Sequence, residues 1–297
     1  MRLDWIDDIL AVLDHGSLAR AAETRRLTQS AFTRRVRIIE DSIGTPLFDR
    51  RRKPVTLMPG VQALAPELRD LSARLHSLRH RLKTAGDQTG RSLSFVCQHA
   101  LTTTVSPLVV QTLTADGRSS VRVRSGNQDE CLMLLISKEV DFAIMYALPD
   151  EDTAEVSTAF EAVTLGADRL IPVATANTRA RITGPDLPTI NYPAEVFLGQ
   201  VFARKIAPRL PPNTTIVTVA ETALTLAMLQ LALTDIGIAW LPQSLTRDAL
   251  DHGTLVPLED ALPAQSLSIK IVRVSEIQTE YAEQVWSDLI QHLHLAV

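Results

Sequence analysis

The sequence predicts an α/β protein in three parts: a small basic helical head, a long leucine-spaced helix, and a larger acidic body. Three observations carry this expectation. At 297 residues the chain is long enough for two or three compact units. Its charge is divided: residues 1–90 hold 16 Lys and Arg against 11 Asp and Glu, a net of +5, while residues 91–297 hold 14 against 23, a net of −9. Finally, Leu64, Leu68, Leu71, Leu75, Leu78 and Leu82 recur at spacings of 4, 3, 4, 3 and 4. That is the a/d seam of a pairing helix.

Composition narrows the class of protein. Hydrophobic residues make up 45% and charged residues 22%, a globular balance. Two cysteines exclude a disulfide scaffold and suit a reducing cytosol. The acidic start, with Asp4, Asp7 and Asp8, does not fit a secretory signal, and the longest apolar stretch, Thr222–Thr234, is too short for a membrane helix. The expectation is a cytoplasmic protein with no membrane partner.

In the head, Leu3, Ile6, Ile9, Leu10 and Leu13 have helical spacing and the pattern stops at His15-Gly16. Ser17 is a fitting N-cap for a second helix, Leu18 to Arg25, whose Ala19, Ala21 and Ala22 permit close approach of another helix. Thr28 caps a third helix running to Ile43. Phe32, Val36, Ile39 and Ile43 form its expected inner face. Gln29, Ser30, Thr33, Arg34 and Arg37 lie opposite, short, polar and cationic. Such a helix fits the major groove of double-stranded DNA, where Gln pairs with adenine, Arg with guanine, and hydroxyls reach phosphate. From His15 to Lys53 there are 10 basic and 4 acidic residues, which favours a polyanion over a merely solvated helix face. Apolar residues then flank Arg50, Arg51, Arg52, Lys53 and Pro54, the pattern of a hairpin with a basic tip that can track phosphates.

The leucine seam belongs to a helix expected from Pro59 to Thr84. Arg69, Arg74, Arg79 and Arg81 between the leucines keep it from being buried all round, so the seam suits a second copy of the chain. Two copies deliver two reading helices to successive turns of DNA. Gly86 to Gly90 serves as a hinge.

The run Gly16-Ser17-Leu18-Ala19-Arg20-Ala21-Ala22, with Leu27-Thr28-Gln29-Ser30-Ala31-Phe32-Thr33-Arg34-Arg35-Val36, Ile39-Glu40 and Gly44-Thr45-Pro46-Leu47-Phe48-Asp49-Arg50, resembles the winged helix-turn-helix domain of LysR-type transcriptional regulators. Thr33 stands where the family usually has serine, and Met58-Pro59 departs from the usual residues after Thr56-Leu57. The resemblance implies a DNA-binding domain over 1–58, a linker and dimerisation helix over 59–89, and an effector-binding domain over 90–297. That last part is expected to be type 2 periplasmic-binding-like, with lobe one at 90–163 and 268–297 and lobe two at 164–267. It further implies a homodimer or homotetramer and a small effector in the cleft between the lobes.

The body agrees in outline. Strands are expected at Leu93–Cys97, Val121–Arg124, Val140–Met145, Arg169–Ala174, Thr189–Asn191, Thr215–Val219, Gly237–Leu241 and Leu267–Val274. Helices are expected at Thr102–Leu113, Asp129–Ser137, Phe197–Ala207, Glu221–Ala232 and Glu276–His292, with a crossing between lobes at Glu161–Leu165. Ligands of such sheets lie beyond the carboxyl ends of the strands, near helix N-termini. The expected wall is therefore Gln98, His99, Ala100, Leu101, Thr102, Ser125, Asn127 and Tyr146 from lobe one, with Asn191, Tyr192, Phe197 and Thr222 from lobe two. Helix N-termini and hydroxyls there favour a carboxylate or similar small anion.

Cys97 and Cys131 could form a redox pair, but both sit in apolar patterns without basic neighbours, which favours plain burial. His99-Ala100-Leu101 and Gly237–Pro242 are similar to a hypochlorite-responsive subgroup of the family, which implies an oxidant-responsive alternative. The histidines show no metal-ligand spacing, and no phosphate loop, nucleophile elbow or dinucleotide turn occurs, so no metal, cofactor or catalytic residue is expected. An effector-modulated DNA-binding regulator is thus preferred over a solute-binding protein and over an enzyme.

Overall fold

The computed structural model describes residues 3–50, 54–84, 92–115, 117, 119–149, 159–275 and 280–293. It divides into two compact units, Met1–Gly86 and Asp87–Val297.

The first unit begins with α1 (Leu3–His15), α2 (Leu18–Thr24) and α3 (Gln29–Ile43). Ser17 and Thr28 cap the second and third helices, Thr28 accepting from the Ala31 N–H at 3.3 Å. Gly44, in the left-handed region at φ 80°, ends α3, where residues with a Cβ are strained. The core is Ile9, Val12, Ala21, Ala22, Phe32, Val36 and Ile39, closed by Leu47, Phe48 and Leu57. Ile43, expected to face inward, is exposed, because the last turn of α3 runs past that core.

One buried charge ties the three helices together. The Asp8 carboxylate is fully buried on α1, with Arg25 Nε, at the C-cap of α2, 2.9 Å from Oδ1 and Arg35 Nη2, on α3, 2.6 Å from Oδ2. The Arg35 contact is an ion pair whose angle falls short of a hydrogen bond. Glu40 does similar work for the hairpin β1 (Phe48–Asp49) and β2 (Thr56–Leu57), accepting from the Leu47 N–H at 2.9 Å and from Arg50 at 2.5 Å. The hairpin tip, Arg51, Arg52 and Lys53, lies outside the described residues.

The single rod expected from Pro59 is in fact two helices, α4 (Pro59–Gln62) and α5 (Ala65–Thr84). Pro66 explains the break: it has no N–H to donate backward and its ring opposes the carbonyl four residues earlier, so it sits in the first turn of a new helix. The leucine seam also divides. Leu68 packs with Ala65 on the helical core, and Ser72 donates to Asp7 at 2.8 Å on α1. Leu64, Leu71, Leu78 and Leu82 stay exposed.

The second unit opens with β3 (Ser92–Gln98), α6 (Ser106–Leu113), β4 (Ser120–Gly126), α7 (Gln128–Ile136) and β5 (Phe142–Ala147), giving parallel strands in the order β4-β3-β5. α6 starts later than Thr102, since His99–Leu101 forms a separate 3-10 turn and Pro107 sets the first helical turn. The stretch Glu161–Leu165, where a crossing between lobes is expected, is not a loop. Instead β6 (Phe160–Ala174) is one uninterrupted strand spanning both. After it come α8 (Ala176–Arg181), β7 (Asp186–Asn191), α9 (Phe197–Val201) running into a π turn, β8 (Thr215–Glu221), α10 (Thr225–Leu233) and β9 (Ile238–Pro242). The chain ends with α11 (Gln243–Asp251), β10 (Val256–Pro257), β11 (Gln265–Val274) and α12 (Glu280–His292).

These strands make one sheet, β4-β3-β5-β11-β6-β9-β7-β8, with β10 beside β6. Its two parallel ends flank an antiparallel centre, in which β11 lies between β5 and β6 and β6 pairs with β9. The strand alternation thus yields a mixed sheet. Arg273 of β11 anchors the last helix, its guanidinium 4.4 Å from the Trp286 ring centre and bonded to Glu161 and Glu283.

The Asp8 cluster gives an asymmetric expectation. Arg25 and Arg35 are partly exposed and recover hydration when Asp8 is removed, whereas removing both arginines strands a buried carboxylate. The double variant Arg25→Ala/Arg35→Ala should lose about 3 kcal/mol and Asp8→Asn about 1 kcal/mol, measured by urea unfolding. Equal losses would overturn this account of the cluster.

Candidate functional site

The N-cap at Thr28 starts α3 so that Gln29, Ser30, Arg34 and Arg37 all stand exposed on one face. Thr33 is half-buried, and its hydroxyl donates to the Gln29 carbonyl at 2.7 Å, leaving it only as an acceptor. Arg34 and Arg37 have no ion-pair partner among the described residues. The arginines around them are committed, Arg35 to Asp8 and Arg50 to Glu40. Sequence reading could not make that distinction: Arg35 is one position from Arg34, and only the helical period turns it inward to α1.

In the second unit the carboxyl ends of β3 and β4 meet. Ser125 Oγ lies 2.7 Å from His99 Nδ1 and 2.8 Å from Thr102 Oγ1, so three expected wall residues form one hydrogen-bonded group. Asn127 is the N-cap of α7 in a capping box, its N–H donating to Glu130 at 2.7 Å. On the other lobe, the Thr222 N–H donates to the Asn191 carbonyl at 3.0 Å. The Thr222 hydroxyl accepts from the Leu224 N–H at 3.1 Å, and Asn191 donates to Thr218 at 2.7 Å. α10, expected from Glu221, therefore begins only at Thr225, and it packs against the His99–Leu101 turn.

The remaining expected residues are built into the core. Ala100, Leu101, Tyr192 and Phe197 are buried there. Gln98 is buried and its Oε1 accepts from the Tyr146 N–H at 2.9 Å. Tyr146 is buried as well, its hydroxyl 2.5 Å from Asp168 Oδ2. Asp168, on β6, also accepts from the Ser244 hydroxyl at 2.6 Å and from the Arg169 and Ser244 N–H groups. Burial, followed by the Asp168 charge, pushes the Tyr146 phenol well above its ordinary range. Tyr146 belongs to lobe one and Ser244 to the start of α11, so this buried carboxylate joins the lobes. Sequence reading missed Asp168 and Ser244. The available signal was a lone acid entering the apolar run Leu170–Ala174.

Cys97 and Cys131 are fully buried. Burial pushes each thiol up to about 12, with the Ser106 hydroxyl only partly offsetting this at Cys97. Neither is a thiolate at neutral pH. No group of three or more candidate metal ligands occurs among the described residues, and no described helix is long and apolar enough to cross a membrane.

A capped helix presenting polar and cationic side chains, behind an alanine-lined helix and before a hairpin, joined to a two-lobed α/β sheet, defines a helix-turn-helix regulator with a ligand-binding body. The chain belongs to the LysR family: residues 3–59 match "Bacterial regulatory helix-turn-helix protein, lysR family" and residues 86–293 match "LysR substrate binding domain". It is 24% identical over 292 residues to the HTH-type transcriptional regulator YjiE of Escherichia coli K12, covering 96% of this chain and 93% of that one. Among solved structures, the full-length hypochlorite-specific regulator HypT of Salmonella typhimurium shares the fold with a TM-score of 0.60 at 24% identity, covering 99% and 98% of the two chains. Vibrio fischeri DarR, solved in complex with DNA, aligns with a TM-score of 0.58 at 20% identity, covering 98% of each chain.

The buried thiols give a pH expectation. A folded-state pKa above the ordinary 9.0 favours folding fully below pH 9. That contribution falls as pH rises from 9 toward about 12, because the unfolded chain ionises first. A thiol-specific reagent at pH 8 should therefore leave both cysteines unmodified until urea unfolds the second unit, as read by mass spectrometry. Rapid labelling of the native protein would contradict their burial.

Proposed function

We propose that the reading face of this regulator is Gln29, Ser30, Thr33, Arg34 and Arg37, set in the major groove of operator DNA. Arg51, Arg52 and Lys53 at the hairpin tip, with Arg50 braced by Glu40, lie along the backbone. The observation that carries this reading is the exposure of Arg34 and Arg37 without an ion-pair partner among the described residues, while Arg35 on the same helix and Arg50 of the hairpin are engaged. The DNA-bound state of DarR, a protein of the same fold, supports it.

Two copies pair through the exposed leucine row Leu64, Leu71, Leu78 and Leu82, continued by Leu75. Leu68 contributes mainly to its own domain. A small carboxylate or inorganic anion enters the second unit at His99, Thr102 and Ser125, opposite Asn191 and Thr222. There it biases the lobes between two arrangements of different ligand affinity. The protein acts in the cytoplasm, as a regulator and not as an enzyme. An oxidant-responsive version of this reading must work through the exposed methionines Met58 and Met133, because the thiols are enclosed. A solute-binding role alone leaves the cationic face of α3 without purpose.

Arg34→Ala and Arg37→Ala should each weaken operator binding by about 1–3 kcal/mol, roughly five- to a hundredfold, while thermal stability is unchanged. In gel-shift titrations the logarithm of the wild-type binding constant should fall linearly with the logarithm of salt concentration. Unaltered affinity in both variants would sink the reading face. Separately, Leu71→Glu/Leu78→Glu should convert the protein to a folded monomer by analytical ultracentrifugation, since both side chains are exposed in the single chain. A persistent dimer would move the interface elsewhere.

A further inference from the structure

The hinge strands have two faces, and register decides which residue belongs to which. Directly opposed residues of an antiparallel pair share a face, and successive residues alternate. Tyr146 opposes Ile269 and Asp168 opposes Leu267, so these four share the face closed by the Asp168 bonds. Lys270, opposed by Met145 on β5 and Thr164 on β6, takes the other face.

Lys270 is only 9% exposed, and it makes neither hydrogen bond nor ion pair among the described residues. Its Nζ nevertheless reaches solvent, since the fully enclosed side-chain atoms without a hydrogen bond among the described residues are Asp8 Oδ2, Thr104 Oγ1 and Tyr192 Oη. On one side it abuts the cluster of Met145 and Val272 beneath α7. On the other the floor is made of short side chains, Ala147, Ser268, Ala167 and Thr164, and the hydroxyls of Ser268 and Thr164 are likewise uncommitted among the described residues. α7 covers only the lobe-one part of this face, leaving the β6 part open, and begins at the edge where β3, β4 and β5 end. Buried charges are ordinarily paired, yet among the described residues nothing pairs with this ammonium, although Asp129 and Glu130 stand in the first turn of α7.

We propose that Lys270 is the cationic anchor for a small anion, a carboxylate or inorganic oxyanion, seated on the open face of the hinge with the hydroxyls of Ser268 and Thr164 as further donors. The proposal rests on the effector reading above for its regulatory meaning, and it supplies the fixed positive charge that the expected wall lacks. It can be tested without DNA, so its failure is distinguishable from failure of the reading face.

Sodium sulfate and sodium succinate serve as separate probes on the full-length chain at constant ionic strength, with an amine-acylating ester and peptide mass spectrometry as readout. Lys270 should lose at least fivefold in acylation rate, saturably, with one or both probes, while Lys138 and Lys205 are unaffected. Response to succinate alone assigns a carboxylate ligand and response to sulfate alone an oxyanion. In thermal-shift titrations Lys270→Gln should abolish the saturable stabilisation and Lys270→Arg should retain it. No saturable protection of Lys270 with either probe, equal protection of all three lysines, or full stabilisation of Lys270→Gln would overturn the proposal. Should Lys270→Gln fail to fold, the acylation of the wild-type chain decides alone.

Discussion

The antiparallel pairing of β6 with β11 is the constraint on which the second unit depends. β6 is paired along β11 from Phe160 to Leu170 and then continues beside β9, so a single strand belongs to both lobes. β11 in turn holds β5 and with it the parallel strands of lobe one. Every carboxyl end named above is positioned by that central ladder. One face of it is enclosed, with Leu170, Leu267, Ile269 and Ile271 completely buried, while Glu161, Thr164, Ala167 and Arg169 of β6 stand exposed. Removing a comparable aliphatic side chain costs about 2–5 kcal/mol. The connection between the two halves of the sheet is a paired strand and not a loop.

Three acids outside the proposed reading and effector sites organise the elements that carry them. Asp8 fixes α1 against α2 and α3, Glu40 fixes the hairpin to α3, and Asp168 joins Tyr146 of lobe one to Ser244 of lobe two. Each anchors a basic or hydroxyl partner that would otherwise be counted as a surface contact. In this way the acids decide which arginines remain available: Arg25, Arg35 and Arg50 are engaged, and Arg34 and Arg37 are left to face outward.

Much of the molecule was legible in the sequence for identifiable physical reasons. Strong periodicity and local capping gave the three helices of the head, because Ser17, Thr28 and Gly44 act on their own neighbours. The lobe-one strands followed from apolar runs between turns. What was not legible depended on distant partners. The continuity of β6 needs β11, about a hundred residues later, and α8 and α11 are short helices without a long apolar stripe. The break before α5 was readable in Pro66 and was overridden by the leucine spacing. The hydrogen-bonded group of His99, Thr102 and Ser125 lies where the sequence places strand ends and helix starts, which are local features. Burial of Tyr146, Tyr192 and Phe197 and the presence of Lys270 could not be read from the sequence, since face and depth in a central strand come from register.

The two faces of the hinge now stand in opposition. On one, the Asp168 carboxylate accepts four hydrogen bonds and has no ion pair among the described residues, so stripping away one donor costs about 1.5–3 kcal/mol. On the other, the ammonium of Lys270 lies over small residues with no hydrogen bond or ion pair among the described residues. A ligand shifts a two-state equilibrium only by its difference in affinity for the two states. Contacts on the locked face are already complete and offer little difference, whereas the open face offers a charge whose compensation changes on occupation. In the proposed reading the Asp168 face holds the two halves together while occupation by an anion acts on the side that carries Lys270. That geometry is what a small anion needs in order to bias one arrangement of the chain over another.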